Sequence, residues 1–218
     1  MDLLQNLCGD FNNCHDLVAY PKEEGDIAQL LRYCSHKNIA VVPFGGGSSV
    51  VFGVSPPDDR SAFVASIAID MIHFNRVVTF DEPSMTCLVQ GGVYGPNLER
   101  QLKMHSVTLR HFPQSFEFST VGGWLATRSG GHFATGPTHI DDLCAGLRLV
   151  TPAGSIETRR LPASGAGPAE CRAYLGSEGA LGIITAAWMR VRKRPSLRAS
   201  ATVLFRGASC HAAFLQVL

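Results

Sequence analysis

The residues best suited to chemistry in this chain stand together at Pro43-Phe44-Gly45-Gly46-Gly47-Ser48-Ser49. A short apolar run, Val41-Val42, leads into three consecutive glycines and two hydroxyl side chains. Glycine reaches positive φ without steric cost, so such a loop can curl and aim several backbone N–H groups at one point. Successive inward N–H groups form an anion-binding nest. Without Cβ atoms the backbone can also approach a ligand closely, and Ser48 and Ser49 add hydroxyl donors. A diphosphate is the natural occupant. A ligand-free tight turn is the competing reading of the same residues. Neither G-x-x-x-x-G-K-[ST] nor a helix-opening G-x-G-x-x-G is present, which excludes a P-loop and a Rossmann turn.

Two later stretches have related character. Phe112 to Gly131 is crowded with Gly, Ser and Thr, yet carries Phe116, Phe118 and Trp124. A ligand-covering wall uses that mixture, because pockets are mostly apolar with a few placed polar groups. A short buried helix with small residues for close packing uses it equally. Farther on, Gly176, Gly179 and Gly182 recur at intervals of three and lead into a strand. Ser177-Glu178-Gly179 lacks the G-x-S-x-G frame of a hydrolase nucleophile. His105, His111, His132 and His139 fit no zinc spacing, so no metal site is expected. Arg128 either places positive charge near a ligand or forms a surface ion pair. Arg190, Arg192, Lys193 and Arg194 are expected to form a solvated edge.

The elements that must hold these residues follow from periodicity. Leu17 to Tyr20 suggests a strand closed by Pro21. Asp26 to His36 suggests a helix with Asp26 as N-cap and Ile27, Leu30, Leu31 and Cys34 on one stripe. A strand from Ile39 feeds the glycine loop, and strand, helix and strand together imply a parallel first sheet. Phe63 to Asp70 is another strand. Val77 to Asp81 and Thr86 to Gln90 form a hairpin. A helix starts near Pro96 and runs to about His105 with Leu98 and Leu102 inward. Leu147 to Thr151 and Ser155 to Thr158 form a second hairpin around Pro152-Ala153-Gly154. The segment from Arg159 to Cys171 is a low-order link. A strand ends near Val191, another starts over Ala199 to Phe205, and a helix begins near His211.

Composition narrows the classes. The chain has 218 residues, 45% of them hydrophobic, and a formal charge of +1. No basic stripe suggests nucleic acid. No apolar run reaches the length of about 18 residues that a membrane span needs. The N-terminus has no secretory signal pattern, and the C-terminus is not S-K-L. Seven cysteines without a C-x-x-C pair suggest reduced thiols and an intracellular compartment.

Four motifs in order carry a family likeness: Pro43 to Ser49, Glu117-Phe118-Ser119-Thr120-Val121-Gly122-Gly123-Trp124, Thr127-Arg128-Ser129-Gly130, and Gly176 to Ile184. Together they resemble the PCMH-type FAD-binding domain of the vanillyl-alcohol-oxidase superfamily. Within it they are most similar to alkyldihydroxyacetonephosphate synthase-like FAD-linked oxidases. The resemblance implies an α+β fold of two α/β subdomains, a small sheet with helices and a larger mixed sheet with helices, with FAD between them. It implies that Pro43, Phe44, Gly45, Gly46, Gly47, Ser48 and Ser49 hold the pyrophosphate. Gln114, Ser115, Phe116, Glu117, Phe118, Ser119 and Thr120 would line the isoalloxazine side, with Ser119 and Thr120 as polar contacts. Gly122 and Gly123 would allow close backbone approach, and Thr127, Arg128, Ser129 and Gly130 would form a further contact. Glu178, Gly179, Ala180, Leu181, Gly182, Ile183 and Ile184 would reach the adenosine and ribitol parts.

The implied activity is FAD-dependent oxidation of a hydroxy acid or alcohol, or the redox-neutral alkyl exchange of ether-lipid synthesis. The alternative is a non-catalytic flavin-binding subunit that needs a partner or cap domain. No catalytic residue is assigned within the chain. Covalently flavinylated members carry a loop His where Ser48 and Ser49 stand, and doubly attached members add a Cys where 114–120 has none, so FAD is expected to be non-covalent. Gln114 replaces the Asp, and Ala180 the Thr, usual in the synthases. The expected division is an N-terminal extension over 1–14, the FAD-binding domain over 15–195 and the start of a truncated cap domain over 196–218. Expected partners are FAD and a small-molecule substrate or acyl/alkyl lipid precursor, with no nucleic acid, no transmembrane segment and a homodimer as one assembly. Cytoplasm is the expected compartment, or the peroxisome for a eukaryotic synthase.

Overall fold

A computed structural model describes residues 14–132, 139–162, 165, 167–197, 199, 202 and 204–207. Strand β1 (Leu17–Ala19) runs into helix α1 (Glu24–Lys37), then strand β2 (Ile39–Phe44). Ile27, Leu31 and Cys34 form the buried stripe of α1. The helix starts earlier than its periodicity suggests. Glu23 is the N-cap, and Asp26 sits at the third helical position. From there the Asp26 carboxylate accepts the backbone N–H groups of Lys22 at 2.8 Å and Glu23 at 3.1 Å. That satisfies donors a helix start would otherwise leave open. Asn38 ends the helix in the left-handed region at φ 54.

Strand β3 (Ala65–Asp70) inserts between β1 and β2, and both pairings are parallel. The parallel sheet is thus the expected one, with β1 and β2 as its edges. Parallel strands end together, so the carboxyl ends of β2 and β3 open on the same side.

The larger sheet contains β4 (Val77–Asp81), β5 (Thr86–Gln90), β7 (Cys144–Thr151), β8 (Gly154–Glu157) and β9 (Ile183–Arg190). Its order is β4-β5-β9-β7-β8. Both expected hairpins are present. Every pairing in this sheet is antiparallel, where a mixed sheet was expected, because β9 returns between β5 and β7 opposite in direction to both. A two-stranded antiparallel ribbon pairs β6 (Val107–Thr108) with β10 (Arg192–Lys193). Helices α2 (Gly95–Lys103), α3 (Val121–Ala126), α4 (Ile140–Leu143) and α5 (Glu170–Tyr174), with a single 3-10 turn at Arg60–Ala62, complete the described elements.

Two cores result. Leu98 and Leu102 of α2, Trp124 and Leu125 of α3, and Leu147 and Met189 of the sheet belong to the larger one. The smaller joins Ile27 and Leu31 to Ile69, Met71 and Phe74, and also to Val150 and Ile183 of the larger sheet. Each fully buried aliphatic side chain contributes about 1.5–3 kcal/mol, so this second cluster fixes one subdomain against the other. A polar link adds to it: the buried Thr185 hydroxyl donates to Glu24 Oε1 at 2.6 Å.

The basic run at the end of β9 is a solvated edge in part: Arg192 and Lys193 are exposed, but Arg190 and Arg194 are not free at the surface. Arg194 pairs with Glu99 and donates to the Val107 carbonyl at 3.0 Å. Arg190 donates to the Cys144 carbonyl at 2.6 Å. Both guanidinium groups cap backbone carbonyls where sheet and ribbon meet. The expected strand over 199–205 falls partly outside the described residues, and its described positions are not in a strand. The expected helix near His211, and all of the N-terminal extension but Cys14, lie outside them.

Candidate functional site

The glycine loop leaves β2 at its carboxyl end and borders a cavity of about 300 Å³ between the two sheets. Pro43, Phe44, Gly45, Gly46, Gly47, Ser48 and Ser49 all line it. Gly46 is required by contact: a Cβ there would overlap the Phe118 carbonyl. Gly47 is required by conformation, at φ 64. The Tyr94 phenol donates to the Gly45 carbonyl at 3.1 Å. Ser49 Oγ accepts Gly53 N–H at 2.9 Å, which folds Val50 to Gly53 into a short turn and leaves the hydroxyl proton available.

Across the cavity lie Ser115, Ser119, Thr120, Gly122, Gly123, Thr127 and Ser129. Thr127 Oγ1 donates to the Gly123 carbonyl at 2.9 Å and Ser129 Oγ to the Gly130 carbonyl at 3.5 Å, and the hydroxyls of Ser119 and Thr120 are engaged too. Ser119 Oγ accepts the Trp124 indole N–H at 2.6 Å and donates to the Ser115 carbonyl at 2.7 Å. Thr120 Oγ1 accepts Gly123 N–H at 3.4 Å as the N-cap of α3. Both were expected as polar ligand contacts; both line the cavity and also order its wall, and Thr120 Oγ1, like Ser49 Oγ, accepts an N–H and keeps its own proton to donate. Gly122 packs backbone to backbone, its N–H donating to the Gly91 carbonyl at 2.7 Å. The segment is therefore both things its composition suggested: a wall of the cavity and a short buried helix.

The third side is formed by Glu178, Gly179, Gly182, Ile183 and Ile184. Glu178 has a left-handed backbone at φ 49, and its N–H donates to the Ala126 carbonyl at 3.0 Å. It is the one charged side chain among the described residues of the lining. Among the described residues no lysine or arginine lines the cavity, so these would hold an anion there by backbone N–H and hydroxyl dipoles.

The remaining expected residues lie elsewhere. Gln114 and Glu117 are exposed beside the cavity, and Phe118 is 67% exposed. Phe116 packs into the core, its ring 6.1 Å from that of Trp124 at 17°. Arg128 is turned away and pairs with the buried Asp141, its Nε donating at 2.9 Å. Gly130 is outside the lining. Ala180 and Leu181 border a neighbouring apolar cavity with Leu31, Val42 and Phe63.

Sequence reasoning missed Val50, Val51, Gly53, Val54, Met71 and Gly91 on the lining, and assigned no role there to Trp124 and Ala126 beyond placing them in the expected wall. Met71 had a usable signal. It follows β3 directly, and ligands of parallel sheets bind outside the carboxyl ends of the strands. Gly91 had none, because its place depends on β5 pairing with β9.

Comparison with known proteins accords with this geometry. A family model described as FAD binding domain matches residues 15–159. The alkyldihydroxyacetonephosphate synthase of Dictyostelium discoideum is 40% identical over 89% of this chain and 31% of its own length. That of Trypanosoma brucei brucei is 34% identical over 84% of this chain and 30% of its own length. The glycolate oxidase subunit GlcD of Bacillus subtilis is 27% identical over 89% of this chain and 41% of its own length. A solved alkyldihydroxyacetonephosphate synthase superposes with a TM-score of 0.83 at 39% identity, covering 90% of this chain and 35% of that one. The chain thus spans about a third of the length of the synthases it matches. Among the described residues, no helix is long and apolar enough to cross a membrane. With its glycine cradle, its α+β frame and a family match over most of its length, this chain belongs to the FAD-binding domain family, and FAD is its cofactor.

Proposed function

We propose that the chain is the cofactor-holding part of an alkyldihydroxyacetonephosphate synthase-like flavoenzyme, acting on an acyl-dihydroxyacetonephosphate and a fatty alcohol. The observation that carries this reading is the 40% identity to a synthase across 89% of the chain. FAD, when bound, supplies the electron-accepting ring on which such chemistry depends. The residues here bind and orient it. Gly45 to Ser49 hold the diphosphate with backbone N–H groups and the Ser49 hydroxyl. The wall from Ser115 to Ser129 covers the isoalloxazine side and excludes water. Glu178 to Ile184 take the adenosine and ribitol side, where the Glu178 carboxylate can accept hydrogen bonds from ribose hydroxyls. Apart from Glu178, no lining residue among those described is an acid, a histidine or a lysine. The acid/base and substrate-binding groups are therefore assigned outside this cavity.

A second reading, oxidation of a 2-hydroxy acid, is favoured by Gln114 and Ala180, which stand where the synthases usually carry Asp and Thr. The relatives named glycolate oxidase subunit GlcD and D-lactate dehydrogenase share 27% and 28% identity. The protein carrying this chain should be purified and its heat-released cofactor weighed. Incubation with acyl-dihydroxyacetonephosphate and labelled fatty alcohol should transfer label into the ether product without net flavin reduction. Anaerobic bleaching of the flavin by D-2-hydroxy acids, with no ether product, would replace the first reading with the second. FMN in place of FAD would sink both.

A further inference from the structure

We infer that Tyr94 is a positioning residue for the glycine loop: its phenol holds the Gly45 carbonyl and so aims the loop's first N–H into the cavity. The inference rests on the diphosphate reading of that loop. Gly45 and Gly46 share one peptide plane, and no cis peptide occurs among the described residues. In a trans peptide the carbonyl and the following N–H point to opposite sides of the chain. Fixing the Gly45 carbonyl therefore fixes the direction of the Gly46 N–H. Without that restraint the plane between two glycines turns at little steric cost. A half-turn would present a carbonyl oxygen to the phosphate in place of a donor.

The anchor is itself well held. Tyr94 is the N-cap of α2, and its backbone forms a bridge with Thr120. The next residue, Gly95, donates its N–H to the Ser119 carbonyl at 3.3 Å. Thr120 also sits against Gly45, where a Cβ would overlap its Oγ1. One rigid segment of the larger subdomain thus grips the loop of the smaller one twice, by a phenol and by a methyl-bearing hydroxyl. Burial and the nearby Asp70 carboxylate both raise the Tyr94 phenol above its ordinary range, so it stays protonated and able to donate.

The test compares Tyr94→Phe, which keeps the ring, with Gly46→Val in the FAD-depleted protein. Titration with FAD and with ADP should show both ligands weakened by the same factor in Tyr94→Phe, about tenfold. The thermal midpoint of the FAD-depleted protein should fall only by the few degrees that one lost hydrogen bond costs, with the fold otherwise retained. Unchanged affinities in Tyr94→Phe, with binding abolished in Gly46→Val, would overturn the role of Tyr94 and leave the loop assignment standing. Full FAD binding in Gly46→Val would overturn both. A fall in thermal midpoint well beyond that of one hydrogen bond would make Tyr94 a fold residue and also overturn the inference.

Discussion

Gly46 and Phe118 meet backbone to backbone: the middle glycine of the loop faces the Phe118 carbonyl so closely that a Cβ would overlap it. A carbonyl is not the far end of a flexible side chain, so it cannot swing aside. Gly46→Ala should therefore displace the loop from the opposite wall and lower FAD affinity at least about a hundredfold, close to 3 kcal/mol. Flavin fluorescence quenching on titration measures it. Wild-type affinity in Gly46→Ala would show that the loop can shift without cost and is only a turn.

The loop is legible in sequence because its logic is local: glycines free the backbone, and a strand must end before them. The hairpins β4–β5 and β7–β8 are local too. The order β4-β5-β9-β7-β8 is not, because β9 lies nearly a hundred residues beyond β5 and pairs through contacts that no short window contains. Hydroxyl residues are ambiguous for a different reason. Ser119 and Thr120 lie where a ligand contact would lie, yet a hydroxyl that caps a helix or satisfies an indole looks the same in sequence as one that binds a cofactor. Arg194 shows the converse, a charged residue of a basic run that is committed to Glu99.

Ser119→Ala tests that distinction. The substitution leaves the buried Trp124 indole N–H without its acceptor, at a cost of about 1–3 kcal/mol. Urea unfolding of the FAD-depleted protein should show the loss, and the near-ultraviolet circular dichroism of Trp124 should change. Unaltered stability with weakened FAD binding would return Ser119 to the role the family likeness implies.

Glu24 and Thr185 join the subdomains across 161 residues of chain. In Glu24→Ala the Thr185 hydroxyl retains the Arg148 carbonyl at 3.3 Å. The expected loss is therefore modest, about 1 kcal/mol in urea unfolding. Glu24→Gln keeps an acceptor oxygen and should lie between the two. A loss above about 3 kcal/mol in Glu24→Ala would mean that the Arg148 contact does not compensate.

Ser48 and Ser49 offer no nucleophile suited to bonding with the flavin, and among the described residues no histidine or cysteine lines the cavity. Acid precipitation should therefore leave the yellow colour in the supernatant. Colour retained in the pellet would identify a covalent link made by a residue outside this lining.

Cys171 and Cys144 provide the pH-dependent prediction. The Cys144 thiol, which donates to the Gly146 carbonyl at 3.6 Å, is also within hydrogen-bonding reach of Cys171, and Arg172 and Arg190 lie nearby. The hydrogen bond from Cys144, with smaller help from the two guanidinium groups, holds Cys171 down to about 6. Cys144 moves the other way, because it supplies that proton and is buried. Burial, with a smaller effect from Glu99, pushes Cys87 up to about 12. At neutral pH iodoacetamide should thus modify Cys171 before Cys34, Cys87 or Cys144, and the rate should climb through pH about 6, not through the free-thiol value of about 8.5. The linkage has a definite sign. A group whose pKa is lower folded than unfolded contributes stability above the unfolded value, and that contribution is lost as pH falls through the folded one. Wild type should therefore lose stability relative to Cys171→Ser between about pH 8.5 and pH 6. Peptide mapping after timed alkylation, beside urea midpoints at the two pH values, tests both halves. A labelling midpoint near 8.5, with parallel stability curves for the two proteins, would mean that the Cys144 proton is not shared with Cys171.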